Sequence, residues 1–225
     1  MSVFAISDLH LPLGVKKPMD VFGKNWENYV NKIELNWKNN VSDNDYVIIP
    51  GDISWGTYLN EAIIDIKYIE SLPGFKIISK GNHDYWWPTL NKLNKMKEEE
   101  GMSKIIFLHN NSCAFEDFAV CACRGWTTPS DKDFTKEDEK IYKRELIRLE
   151  LSIKDALKKN KDKLIMAMHY PPLGEFLEIA KKYGVSKIVY GHLHNEKMGT
   201  YNEISDITSL VSCDYLSFLP EKLIL

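Results

Sequence analysis

The chain has 225 residues, 44% hydrophobic and 27% charged, the proportions of an ordinary soluble globular protein with length enough for one generous core. A formal net charge of −3 and a pI near 6.1 argue against nucleic acid or an anionic membrane as a partner. No apolar run approaches the ~20 residues that span a bilayer, and Met1 to Ile6 run straight into Asp8 without a signal peptide, so a cytoplasmic location is expected.

Residues 2–6 alternate into a short β run that releases Asp8-Leu9-His10-Leu11, followed by the loop signal Pro12-Leu13-Gly14. Phe22, Trp26, Tyr29, Ile33 and Trp37 recur at spacings of three and four, which predicts an amphipathic helix whose aromatic stripe faces the core. Asp45 to Pro50 reads as a second strand and delivers Gly51-Asp52. Leu59, Ala62, Ile63, Ile66 and Ile69 mark a second helix, closed by Pro73-Gly74. A third strand, 75–79, leads into Gly81-Asn82-His83-Asp84, and a helix is expected from Pro88, at a first-turn position, into Lys97.

Lys104 to Leu108 is a fourth strand, and a hairpin is expected near Cys113–Cys123, followed by Arg124-Gly125-Trp126 and a polar loop, Thr127–Phe134. Thr135 and Asp138 resemble a capping box for a long helix with Tyr142, Leu146, Leu149, Ile153 and Leu157 on its apolar face. Its other face is rich in Lys and Glu at helix-neighbour spacing and reads as solvated surface. Leu164 to Met168 is a strand ending in His169-Tyr170-Pro171-Pro172. A short helix (Glu175–Lys182) leads to Ile188-Val189-Tyr190 and then Gly191-His192-Leu193-His194, and Ile207–Leu216 closes the sheet. With no repeat or linker, residues 1–225 read as a single domain. Cys113, Cys121, Cys123 and Cys213 lack the paired spacing of a zinc site and read as reduced, packed thiols.

Five of the six histidines follow apolar runs, in company with Asp8, Asp52 and Asn82. That many ionisable groups at one edge of a sheet carry a large desolvation cost, which metal cations remove by supplying positive charge. Asp8 and His10, like His192 and His194, are two apart and face one way on extended chain. Mixed Asp, His and Asn donors suit Mn, Fe, Co, Ni or Zn better than calcium.

These blocks resemble the calcineurin-like metallophosphoesterases, whose pattern is D-x-H, G-D, G-N-H-D/E, a lone H and G-H-x-H, each after a strand. All five stand here in order, as Asp8-Leu9-His10, Gly51-Asp52, Gly81-Asn82-His83-Asp84, His169 and Gly191-His192-Leu193-His194. The resemblance implies an α/β fold of four layers, two stacked mixed β-sheets flanked by helices. It also implies two divalent metal ions, with manganese favoured. Asp8, His10, Asp52 and His194 would hold the first and Asp52, Asn82, His169 and His192 the second, with Asp52 as bridge.

The reaction expected of such a pair is hydrolysis of a small phosphomonoester or phosphodiester, by in-line attack of a hydroxide made from water bridging the metals. His83, beside Asn82 yet outside the ligand set, is the expected proton donor, with Asp84 orienting it or raising its pKa. Arg124 would stand in for the arginine that protein phosphatases carry after G-D and this chain lacks, or would be structural. Trp55, Trp86, Trp87 and Trp126 would either rim the site for a nucleobase or aryl group or pack loops onto the core. Alternatives to the phosphatase or phosphodiesterase are a nuclease on the same site and a metal-bound scaffold.

Overall fold

The computed structural model describes residues 1–159, 162–194 and 205–224. Two five-stranded sheets stack face to face. In the first, β1 (Val3–Ala5), β2 (Tyr46–Pro50), β3 (Phe75–Ser79) and β4 (Ile105–Leu108) run parallel, connected in sequence by α1 (Tyr29–Asn40), α2 (Leu59–Ser71) and α3 (Leu90–Glu99). The second begins with the expected hairpin, β5 (Ser112–Ala114) antiparallel to β6 (Ala119–Cys123). After α4 (Lys136–Lys159) it continues in parallel through β7 (Leu164–Met168), α5 (Glu175–Lys182), β8 (Lys187–Tyr190) and β9 (Thr208–Leu210). The chain then returns to the first sheet, where β10 (Glu221–Lys222) pairs antiparallel with β1. Both sheets are therefore mixed.

The β period of two divides the apolar residues between layers. Val47 and Ile49 of β2 face α1–α3, while Ile48 faces the other sheet, where it joins Val3, Ala5, Ile77, Val120, Ala122, Ile165, Ala167 and Val189 in the central layer. Outside the second sheet, Leu149 and Ile153 of α4 and Phe176 and Ala180 of α5 bury Cys121, Met166 and Ile188. The four cysteines are free, and burial pushes their thiols up. No helix among the described residues is long and apolar enough to cross a membrane.

Two local expectations fail. The aromatic stripe does not form one helix from Phe22: two short 3-10 turns (Asp20–Phe22 and Lys24–Trp26) precede α1, which starts at Tyr29. Gly23 at φ 139° and Asn28 at φ 55° lie outside helical backbone and break the spiral. Trp26, Tyr29, Ile33 and Trp37 are buried as expected, but Phe22 is 57% exposed. Pro88 lies before α3 rather than in its first turn, because Thr89 is the N-cap and accepts the Lys92 amide.

One buried charge has a structural role that its strand position conceals. Lys76 of β3 is fully buried, and its Nζ donates to the carbonyls of Glu70, Leu72 and Gly74 at 2.8–3.0 Å. These oxygens lie at and just past the C-terminus of α2, where helix carbonyls otherwise lack partners.

Candidate metal centre

Parallel pairing aims the carboxyl ends of β1, β2 and β3 the same way, and those of β6, β7 and β8 likewise. The loops beyond these strands meet where the sheets abut, the usual ligand position of open α/β sheets. Asp8, His10, Asp52 and His192 take φ values of 58°, 43°, 52° and 74°, the left-handed region that non-glycine residues enter at a cost. Hydrogen bonds from their amides hold three of them there. Asp8 N donates to Gly51 O at 3.1 Å, His10 N to Asp52 O at 3.0 Å and His192 N to Asp8 Oδ2 at 3.0 Å. Two motif glycines are needed for close approach: a Cβ on Gly81 would overlap the Asp52 carboxylate, and one on Gly191 would overlap that of Asp8.

The seven candidate ligands converge on two neighbouring points. At one, His10 Nε2 is 3.2 Å from His194 Nε2 and 3.7 Å from Asp52 Oδ2, while Asp8 Oδ1 is 3.6 Å from His194 Nε2. At the other, His169 Nε2 is 2.6 Å from Asn82 Oδ1 and 3.4 Å from Asp52 Oδ2, and His192 Nδ1 is 3.0 Å from Asn82 Oδ1. The single oxygen Asp52 Oδ2 thus faces both groups. Asp8 also belongs to two sets of donors lying within 4.8 Å of one another, with His10 and His194 and with Asp52 and His169.

Protons cannot satisfy this arrangement well. His169 Nδ1 lies 3.0 Å from Pro50 O and must carry its proton there, which leaves Nε2 as a lone pair aimed at two oxygens unless the ring is charged. His194 repeats the pattern, with Nδ1 3.0 Å from Asp214 Oδ1 and Nε2 facing His10 and Asp8. Burial disfavours a charged His169, yet Asp52, Asp8 and the Pro50 carbonyl raise its pKa to about 9. Burial also raises Asp8, and it lowers His10 to about 3 and His192 to about 4. Acceptors crowded around two points, in a site that draws positive charge to itself, fit a pair of cations. The separations, 2.6–3.7 Å, bracket the roughly 3–3.5 Å between neighbouring ligands around a metal with bonds of about 2.0–2.2 Å. The bonds from His169 to Pro50 O and from His194 to Asp214 are of the kind that fix the orientation of a metal-binding histidine.

His83 stands beside the ligands without joining either group. Its amide donates to Asp52 Oδ1 at 2.8 Å, and its ring lies 5.8 Å from His10, 5.5 Å from Trp55 and 6.1 Å from Tyr85. Asp84 departs from the expectation that it orients His83. Its buried carboxylate accepts the amides of Asp52 and Gly81 on Oδ2 and the Ile53 amide and Trp86 Nε1 on Oδ1, at 2.8–3.0 Å. With four donors on its two oxygens, it braces the loop that carries Asp52. Burial and the Asp52 charge push its pKa up to about 6.

The Arg124 guanidinium is half-buried and stacks 4.3 Å over the Trp126 ring, within electrostatic reach of Glu145, Tyr170 and Lys80. The tryptophans divide. Trp86 and Trp87 are buried in the core, Trp55 stacks on His10 at 4.5 Å and Trp126 tilts against Tyr170 at 5.2 Å. Sequence reasoning missed Asp214, Ser212, whose Oγ donates to Asp8 Oδ2 at 2.9 Å, and Tyr170, whose ring lies 4.2 Å from His192. The only hint of Tyr170 was its place next to His169. His109 packs on Trp87 at 6.2 Å, its pKa lowered to about 4 by burial and then by the charges of Arg148, Lys80 and Arg124.

A protein of unknown function from Aquifex aeolicus, AQ665, shares the fold at 16% identity and a TM-score of 0.54, over 98% of this chain and 95% of that one. The sulfate thiohydrolase SoxB of Thermus thermophilus, in complex with glycerol, aligns at 13% identity and a TM-score of 0.45, over 94% of this chain and 51% of that one. No curated protein matches the sequence significantly. The family described as Calcineurin-like phosphoesterase matches residues 1–196, which takes in all five motifs and every candidate ligand. The chain belongs to the calcineurin-like phosphoesterase family.

Proposed function

We propose that this protein is a metal-dependent phosphoesterase that hydrolyses a small phosphomonoester or phosphodiester. The observation that carries the reading is Asp52 Oδ2, which faces His10 Nε2 at 3.7 Å and His169 Nε2 at 3.4 Å, with His83 left outside both groups. On this reading Asp8, His10, Asp52 and His194 hold one divalent cation, and Asp52, Asn82, His169 and His192 hold the second. When bound, the cations supply Lewis acidity that acidifies water and offsets charge on the phosphoryl oxygens; manganese is the favoured ion.

The protein's own groups do the rest. Water oxygen attacks phosphorus in line and loses a proton to solvent, while the bond to the leaving oxygen breaks with its electron pair. His83 gives that oxygen a proton. Because the His83 amide is fixed by Asp52 Oδ1, the donor keeps register with the carboxylate shared by the two ligand groups. Arg124, flattened on Trp126, offers its guanidinium to a phosphoryl oxygen from the Tyr170 side. Asp84 acts through the Asp52 loop and touches no substrate.

The test is turnover of 4-nitrophenyl phosphate and of bis(4-nitrophenyl) phosphate after chelation and addition of Mn²⁺, in wild type and Asp52→Asn. Metal-dependent hydrolysis that the substitution abolishes is the expected result, and the faster ester assigns phosphatase or phosphodiesterase. Two cations bound per chain with no turnover of either ester or of a nucleotide panel would overturn the enzyme in favour of a metal-bound scaffold.

A further inference from the structure

The two ends of the candidate site differ in chemistry. Beside His192 and Tyr170 lies a cavity of about 240 Å³ with mixed walls, where Thr127, Thr128 and Asp131 stand among Trp126, Leu173 and Leu193. Beside His83 lies one of about 210 Å³ walled by Met19, Phe22, Trp26 and Trp55, which opens on His10 and His194. A further cavity of about 360 Å³ shares Phe22 and Trp55 with it and runs out past Lys16, Lys17 and Pro18. If His83 protonates the leaving oxygen, the group attached to that oxygen departs toward the aromatic end.

We propose that the cleft formed by Met19, Phe22, Trp26 and Trp55 is a leaving-group subsite that selects phosphoesters of planar aromatic alcohols. The proposal rests on the phosphoesterase reading and adds the substrate class. Three observations carry it.

The Trp55 wall is built and braced. Its ring stacks on His10 at 4.5 Å and 23°, its Nε1 donates to Met19 Sδ at 2.9 Å, and its carbonyl takes the Lys17 ammonium at 3.2 Å. A wall held this way loses little freedom when a ligand packs on it. Next, the 3-10 turns before α1 leave Phe22 57% and Val21 73% exposed, while Trp26 of the same segment is buried. An exposed aromatic at the mouth of the cleft does not serve the core and is free to pack on a ligand. Finally, Trp55 Nε1 and the Trp55 carbonyl are already partnered, so the wall has few polar groups left for a sugar or polyol to bond. A flat ring packs offset or edge-on against such a wall.

The experiment compares kcat/KM for 2-naphthyl phosphate and methyl phosphate in the Mn²⁺-loaded protein, with wild type, Phe22→Ala, Phe22→Tyr and Leu173→Ala side by side. Binding of 2-naphthol is followed in parallel by tryptophan fluorescence. Phe22→Ala is expected to lower the naphthyl-to-methyl ratio and naphthol affinity on the order of tenfold, within the range of a lost aromatic stack. Phe22→Tyr restores both. Leu173→Ala, in the cavity beside His192, leaves the ratio where it is. A ratio and affinity unmoved by Phe22→Ala, or a ratio that falls with Leu173→Ala instead, overturns the subsite. Should neither ester turn over, the hydrolase reading fails, while naphthol binding weakened by Phe22→Ala still upholds an aromatic site.

Discussion

Replacing Asp84 with asparagine tests the bracing role that the structure gives this residue. Each of its oxygens accepts two N–H groups: the amides of Asp52 and Gly81 on one, the Ile53 amide and Trp86 Nε1 on the other. Asparagine keeps one acceptor and turns an NH2 toward the other two donors, so two bonds are lost whichever way it flips. Hydrogen bonds to a charged group contribute about 1.5–3 kcal/mol each, and removing a buried carboxylate offsets part of that loss. The expected destabilisation is about 3 kcal/mol, which lowers Tm by roughly 6–12 °C in a chain of this size. Either pair of donors includes an amide of the Asp52-Ile53 turn, so that turn loosens in both cases and cation affinity falls on the order of 10–100-fold. Urea melts of the chelated protein and calorimetric titration with Mn²⁺ measure the two effects. Wild-type stability and affinity in Asp84→Asn, with only a shifted limb of the pH–rate profile, would refute the bracing argument and return Asp84 to His83.

Asp214→Asn removes the carboxylate partner of His194 Nδ1 and is expected to weaken one cation about 10–100-fold, seen as one altered phase in a two-site titration. His83→Ala is expected to keep both cations and lose roughly 10²–10⁴ in kcat on an alkyl ester, with a smaller loss on a 4-nitrophenyl ester, whose oxygen leaves without a proton; equal losses on both sink the proton-donor role. Gly81→Ala puts a methyl group against both the carboxylate and the amide nitrogen of Asp52, so it should lower cation affinity in a calorimetric titration and also the Tm of the chelated protein. Burial lowers the Lys76 pKa from 10.5 to about 8. Between those values the unfolded chain binds more protons than the folded one, so this group makes stability rise with pH from about 8 to 10.5 and has no effect on the slope below. The difference between wild type and Lys76→Met in urea melts across that window isolates it.

The strands and the ligand motifs were legible because each rests on a local signal. Apolar runs such as 46–50 and 75–79 form parallel strands, and the polar blocks after them fall together once those strands align. The helix boundary at Tyr29 was hidden because Phe22 and Trp26 keep helical spacing while Gly23 and Asn28 break the backbone. Asp84 was misread for a related reason. Adjacency to His83 in sequence suggested a pair, but the side chain turns to amides contributed by the Gly51-Asp52 loop 31 and 32 positions away. Asp214 and Ser212 carry no motif. Their roles exist only because the end of β9 lies beside β1, a long-range contact that no window of sequence contains.

That contact has a consequence for how the protein matures. Asp8 is held by the hydroxyl of Ser212, 204 positions later, while Ser7 exchanges backbone bonds with Val211 and Cys213, and β10 closes the sheet on β1. The earliest ligand therefore stays unfinished until the second sheet has formed and the chain has crossed back. Contacts of this sequence separation cost closure entropy and slow folding. Neither sheet alone assembles either cation site. On the proposed two-cation reading, cation binding reports on the whole fold, and a thousandfold excess of metal over its Kd would stabilise the native state by about 4 kcal/mol per site, which would place stability under the control of metal supply.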